Sequence, residues 1–330
     1  MEFQDTAKIE LHLHLEGAMP PEFARRLADE KNISLDGVFD ENGGYAYRDF
    51  WHFLEVYEAA TSVLQSPEDF RRLTLAILEE SAKQGVVYAE SFISPDFCGG
   101  RDVAAWKDYL AAIKDAADEA ERTMGITLRG IVTCIRHFGG DVAVETAKCA
   151  QETAGDWIVG FGMGGDEKAG NQSDFAYAYD MAREAGLQLT THAGEWNGPD
   201  EIREALDALK VQRIGHGVRS IEDNALVERL IEEGTTLEVC PGSNVFLNVY
   251  DKLEDHPIAK LRDAGVKVTV STDDPPFFRT TMTKEYEDLS RVFGWEESDF
   301  SDLNNVALEA AFCDADTKAR IAKKLETDHV

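Results

Sequence analysis

The sequence predicts a (β/α)8 TIM-like barrel with extra helices inserted after the first strand. Eight short apolar, β-branched runs recur along the 330 residues, each followed by an amphipathic helical pattern. From the second run onward they start at intervals about the length of one βα unit. No Pro/Ser-rich linker or solenoid-type repeat divides the chain, so a single domain over 1–330 is expected. A doubly wound open sheet is the main rival. That fold usually carries a glycine-rich phosphate loop after its first strand, where this chain has His12-Leu13-His14-Leu15-Glu16-Gly17.

The runs cover 9–15, 86–93, 126–135, 157–163, 187–191, 213–218, 236–240 and 266–271. Between them, Val103, Trp106, Leu110, Ile113 and Ala117 recur at steps of three and four, one buried face of a helix. Ile202, Ala205, Leu206 and Leu209 repeat that spacing after Pro199, a residue suited to a first helical turn. Gly186, Gly234 and Gly265 each precede a run, where a helix C-cap favours a left-handed residue. The first interval is the longest and predicts a helical insertion over about 20–80. Its Phe50, Phe53, Leu54 and Tyr57 form a stripe that reads either as plain core packing or as a hydrophobic lid over the barrel mouth.

With 33 basic and 63 acidic side chains, the formal net charge is −30. Phosphate repulsion then argues against naked nucleic acid, and an anionic membrane surface is disfavoured for the same reason. A small-molecule partner is unaffected, and the acidity by itself accounts for solubility. The five cysteines form no CxxC pair, which predicts neither a disulfide framework nor a cysteine zinc site. The N-terminal residues 1–8 lack an apolar signal-peptide core, and no stretch approaches the roughly 18 apolar residues of a membrane span. A cytoplasmic protein with reduced thiols is expected.

Four motifs carry chemistry. His12-Leu13-His14 falls in the first run, where alternation puts both imidazoles on one face and Leu11, Leu13 and Leu15 on the other. In a barrel the leucines pack on the helices and the histidines point inward. Buried imidazoles need partners for their ring nitrogens, and a metal is one. The fifth run ends in Thr191-His192-Ala193-Gly194-Glu195, adding a third imidazole and a carboxylate. The sixth contains Gly215-His216-Gly217, whose glycines permit close backbone approach. The eighth ends Ser271-Thr272-Asp273-Asp274-Pro275-Pro276.

All four motifs fall at or near strand C-termini, where barrel enzymes build active sites. Three histidines and one carboxylate suit zinc, with water in the open position. Neighbours Asp273 and Asp274 cannot face the same way in a regular strand. The prolines predict that the strand ends there, leaving Asp273 for metal and Asp274 for substrate. Singly, each motif also reads as a satisfied core histidine or a helix cap. His52, His137, His256 and His329 have no such setting and read as surface or structural.

These residues give the chain its resemblance to the adenosine deaminase family of the amidohydrolase superfamily. The resemblance covers nearly the whole chain through ELHLHLEG (10–17), GGDE (164–167), HAGE (192–195), GHG (215–217), CPGSN (240–244), HPI (256–258) and STDDPPFF (271–278). It implies a zinc-dependent hydrolytic deamination of a 6-aminopurine. By position, His12, His14, His192 and Asp273 resemble the zinc ligands. Glu195 resembles the proton shuttle to purine N1, and His216 the residue that orients and assists the attacking water. Asp274 matches the group that bonds N7, and the Gly165 backbone the one that contacts N3. His14 and Glu16 are expected at the substrate as well.

One zinc is implied, because two-metal amidohydrolases bridge their ions with a lysine usually on strand four, and 157–165 holds none. The HxE…PCxxC pattern of deaminases acting on flipped bases is absent. Glu16 stands where animal-type adenosine deaminases carry an aspartate associated with the ribose 5′-hydroxyl. Gly164-Gly165 stands where related adenine deaminases usually show serines. The match to GGDE implies a purine nucleoside, adenosine and 2′-deoxyadenosine, with inosine and ammonia as products, in purine salvage. Deamination of adenine or another 6-aminopurine is the alternative. A metal-dependent hydrolase opening a cyclic amide and a catalytically silent purine-binding barrel are the other two readings.

Overall fold

The computed structural model describes residues 3–327, so His329 lies outside it. Its strands are β1 (Lys8–His14), β2 (Val86–Ile93), β3 (Thr127–Ile135), β4 (Ile158–Gly164), β5 (Gln188–Ala193), β6 (Arg213–His216), β7 (Thr236–Val239) and β8 (Lys267–Val270). They pair in parallel in the order β1 to β8. Each predicted run coincides with one strand, apart from its ends. β6 and β8 stop short of the predicted ends. His216 and Gly217 both have positive φ, 62° and 65°, and beyond β8 Asp273 reaches 70°, conformations that leave the pleat.

The sheet closes where β1 meets the segment after β8. Leu13 bridges Asp273, the His14 N–H donates to the Asp273 carbonyl at 3.0 Å, and the Asp273 N–H to the His12 carbonyl at 3.1 Å. Closure therefore uses the backbone of the same residues that the motifs single out. Outside the barrel the periodic stripes do what their spacing requires. The helix Val103–Met124 buries Trp106, Ile113 and Ala117 and ends at Gly125 in the left-handed region. Ile9 and Leu11, on the outer face of β1, pack with Ala307, Ala311 and Ile321 near the C-terminus. Burial stabilises such a side chain by about 1.5–3 kcal/mol.

The lower interior of the barrel is ionic. Arg213 on β6 is buried, with Nη1 2.7 Å from Glu90 Oε2 and Nε 2.6 Å from Glu238 Oε1. Valine, isoleucine and leucine dominate most barrel interiors, so this layer departs from the common pattern.

Three helices separate β1 from β2: α1 (Pro21–Lys31), α2 (Phe50–Thr61) and α3 (Pro67–Lys83). Asp49 starts α2 by accepting from the His52 N–H at 2.9 Å, and Ser66 with Pro67 starts α3. Phe53 of α2 is buried with its ring centroid 5.5 Å from Phe277 and 5.4 Å from Phe278. Tyr45 stacks on Phe277 at 3.8 Å, and the Tyr47 hydroxyl donates to the Phe277 carbonyl at 2.8 Å. Aromatic packing thus ties the insertion to the segment that follows Asp274. All five cysteines are free and buried. Among the described residues, no helix is long and apolar enough to cross a membrane.

Candidate active site

A cavity of about 280 Å³ opens at the C-terminal ends of the strands. His14, His192, Glu195, His216, Asp273 and Asp274 border it, together with Glu16 and Gly165. Phe50, Trp51 and Leu54 of α2 face it with Phe97, Ile135 and Phe138. The stripe on α2 is therefore core and cavity wall at once. His12 is fully buried beside these groups. All the residues that the motifs nominated are brought together here.

His12, His14, His192 and Asp273 point ligand atoms at one another. His192 Nε2 lies 3.1 Å from His12 Nε2 and 3.2 Å from His14 Nε2. Asp273 Oδ1 is 3.2 Å from His14 Nε2 and 3.6 Å from His12 Nε2. Two glycines make the convergence possible. A Cβ on Gly215 would lie 2.8 Å from His12 Cε1, and one on Gly164 would lie 3.3 Å from His14 Cε1 and 3.4 Å from His192 Cε1.

Nitrogen lone pairs this close need a proton or a cation between them. Burial works against a charged His12, yet Asp273 and Glu238 outweigh it and push its pKa up to about 9. Burial also works against the Asp273 carboxylate, but His12 and His14 hold its pKa well below the ordinary value. The cluster thus demands positive charge, and its three imidazoles and one carboxylate fit a divalent metal. The His12 Nδ1, on the ring's far side, lies 2.7 Å from Glu238 Oε2. A carboxylate there fixes the tautomer that leaves Nε2 free to ligate.

Beside this cluster, Glu195 Oε1 accepts from Asn244 Nδ2 at 2.9 Å and lies 3.7 Å from His216 Nδ1. Burial, then the charges of Asp273 and Glu167, raise the Glu195 pKa well above the usual carboxylate range. Asp274 rises well above it too, through burial and then Asp273, Glu16 and Glu195. Glu16 is pushed up to about 8, mainly by burial. Among the described residues, Glu16 Oε1 and Asp274 Oδ1 are buried with no hydrogen-bond partner. Both side chains border the cavity, but Asp274 Oδ1 packs against Gly17, where a Cβ would collide with it. His216 is held near 3 by burial, so it is a neutral imidazole.

A model of the family described as adenosine deaminase matches residues 7–328. The chain belongs to the adenosine deaminase family. Within the amidohydrolase superfamily, that membership makes it a hydrolytic deaminase. It is 43% identical over 318 residues to an adenine deaminase of Agrobacterium fabrum, covering 96% of this chain and 97% of that one. A solved adenine deaminase from Arthrobacter aurescens matches it with a TM-score of 0.90 at 33% identity, over 98% of each chain. An amidohydrolase from Burkholderia ambifaria, solved with bound zinc, matches at 0.85 and 27% identity, over 98% of this chain and 92% of that one.

Several residues that serve this family member's site carry no role in the sequence reading. Glu167 accepts from the backbone of Gly194, from Trp196 N at 2.5 Å and from Asn197 N at 3.1 Å, which holds the loop bearing Glu195. Ser243 Oγ donates to Asp273 Oδ2 at 2.7 Å. Glu167, Ser243 and Asn244 all sit inside the quoted motifs, so the signal was present without its meaning. Glu238 had a subtler signal, a lone acid in the short buried run of β7.

The other histidines divide. His52 is half-buried at the start of α2, and His137 borders the cavity, its Nδ1 accepting from Asp166 N at 3.3 Å. His256 takes the structural alternative of its reading: it is buried, with Nε2 3.2 Å from Asn244 Oδ1.

Proposed function

We propose that this deaminase acts on adenine, with water replacing the 6-amino group to give hypoxanthine and ammonia. The observation that carries the chemistry is a metal-ligand cluster set beside a buried, high-pKa Glu195 in one cavity. The free base rather than the nucleoside is favoured by the adenine deaminases among its relatives. This replaces the nucleoside expectation built on Gly164-Gly165. Both glycines have packing reasons unconnected with a ribose. Gly164 makes room for the His14 and His192 rings, while Gly165 has φ of 100° and a Cβ there would lie 2.8 Å from His137 Nδ1. Among the described residues, neither lysine nor arginine borders the cavity, and Glu55 and Glu58 stand on its α2 side, so a phosphorylated substrate finds no counter-charge there.

His12, His14, His192 and Asp273 would hold one zinc ion. When bound, zinc supplies the Lewis acidity that makes a water-derived nucleophile available at neutral pH. Glu195, protonated by virtue of burial, donates to N1 as negative charge develops on the ring. Asp274, also protonated, donates to N7 and fixes the base in plane. His216 orients the nucleophile from the β6 side. Glu16 takes a polar edge of the purine, and the Gly165 backbone contacts N3. The apolar stripe of α2 excludes water as a lid, a role for the 20–80 insertion that strengthens each polar contact beneath it.

Ammonia release from adenine, adenosine and adenosine monophosphate, measured side by side on zinc-replete protein, tests the assignment. Turnover of adenine far above the other two is expected. Release from adenosine alone would return the substrate to the nucleoside.

A further inference from the structure

The motifs CPGSN (240–244) and HPI (256–258) meet behind the cavity, and their contacts form one directed chain of hydrogen bonds. It begins at the backbone. The Ile258 N–H donates to His256 Nδ1 at 3.2 Å. A neutral imidazole whose Nδ1 accepts carries its proton on Nε2. His256 is 1% exposed with the Tyr250 ring against it at 5.1 Å, and burial, then His216, holds its pKa down to about 3. It is therefore neutral, with one N–H to give.

That N–H faces Asn244 Oδ1 at 3.2 Å. The carboxamide then has one orientation, oxygen towards His256 and nitrogen towards the site. Nδ2 has two protons to give. One goes to Glu195 Oε1 at 2.9 Å and the other to His216 Nδ1 at 3.2 Å. An accepting Nδ1 leaves the His216 proton on Nε2, the nitrogen 4.0 Å from Asp273 Oδ2. The backbone locks the hub: the Asn244 carbonyl accepts from Val249 N at 2.9 Å and Tyr250 N at 3.3 Å.

We infer that His256 is a positioning residue: through the Asn244 carboxamide it holds His216 as the Nε2–H tautomer and leaves the transferable proton of Glu195 to its other oxygen. The inference rests on reading the cavity as a deaminase site. It makes His216 a hydrogen-bond donor towards the metal cluster rather than a base at that nitrogen. A histidine that merely filled space at 256 would have no influence on the protonation pattern of His216.

The test uses long-range ¹⁵N NMR of zinc-loaded protein labelled at histidine, with the His216 signal assigned through His216→Gln. His256→Phe keeps the ring volume and removes the donor. In it, His216 is expected to lose its single Nε2–H pattern. Turnover of whichever 6-aminopurine the wild type accepts should fall about 10- to 100-fold in kcat, with KM changing less. His256→Gln, whose amide N–H can reach Asn244 Oδ1, should recover most of both. An unchanged His216 pattern in His256→Phe overturns the inference, as does equal impairment of the Phe and Gln variants.

Should His256→Phe not fold, Asn244→Leu decides. Leucine keeps much of the volume and can neither donate to Nδ1 nor accept from His256, so retention of the Nε2–H form there is equally fatal. A wild type that deaminates no purine would sink the proposed function, yet the NMR result still decides the tautomer.

Discussion

The lower barrel and the cavity above it are both buried and both rich in carboxylates, and they treat charge in opposite ways. Below, Arg213 lies between Glu90 and Glu238, and Glu238 also meets His12. Burial works against the Glu238 charge, but Arg213 and His12 outweigh it and hold its pKa below the ordinary value. Above, Glu16, Glu195 and Asp274 make no ion pair with lysine or arginine among the described residues, and burial raises all three. A buried carboxylate with a cation is a fixed charge that can hold a metal ligand in place. One without a cation keeps its proton at neutral pH and can donate it.

The largest expected effect comes from the upper group. Glu195→Gln keeps the shape and removes the acid, so kcat should fall by about 10²- to 10⁴-fold, while metal content after dialysis and purine binding stay near wild type. Turnover at the wild-type rate would end the contrast, because an unpaired carboxyl would then have no chemical use. In the lower group, Arg213→Met strands two buried glutamates. A loss of about 3–5 kcal/mol in urea unfolding is expected. A loss smaller than about 1 kcal/mol, the scale of an exposed pair, would show that the pairing below is incidental.

Glu285 sharpens the comparison as an intermediate case. It is buried, accepts from Thr280 Oγ1 at 2.5 Å and Gly242 N at 3.0 Å, and has no ion pair among the described residues. Burial pushes its pKa from 4.5 to about 7. The folded state thus binds this proton more tightly than the unfolded chain. The stabilising contribution is complete below pH 4.5 and is lost as pH rises through 7. Glu285→Gln cannot ionise, so its stability relative to wild type should rise by about 3 kcal/mol across that window. Parallel stability–pH curves for the two proteins would show that hydrogen bonds alone substitute for a cation.

Most of the barrel was legible because its information is local. Alternation in 9–15 put His12 and His14 on one face, and steps of three and four in 103–117 gave the buried face of an outer helix. The grouping of the candidate site residues was legible for a related reason: barrel motifs lie at strand ends, which closure gathers at one mouth. Less legible was a local motif with more than one physical reading. Gly164-Gly165 reads as a mark of the substrate, and the ring contacts of Gly164 and the positive φ of Gly165 supply a packing reason for the same glycines.

By itself, then, the sequence determined which residues line up on each element and which end of each strand bears the candidate site residues, since both follow from periodicity and turn residues. Only the tertiary structure decided who pairs with whom. Arg213 reaches Glu90 across 123 positions of sequence, and Asn244 reaches Glu195 across 49. Charge and hydrogen-bonding partners are chosen across the closed barrel, where separation in space has no counterpart in the spacing of residues along the chain.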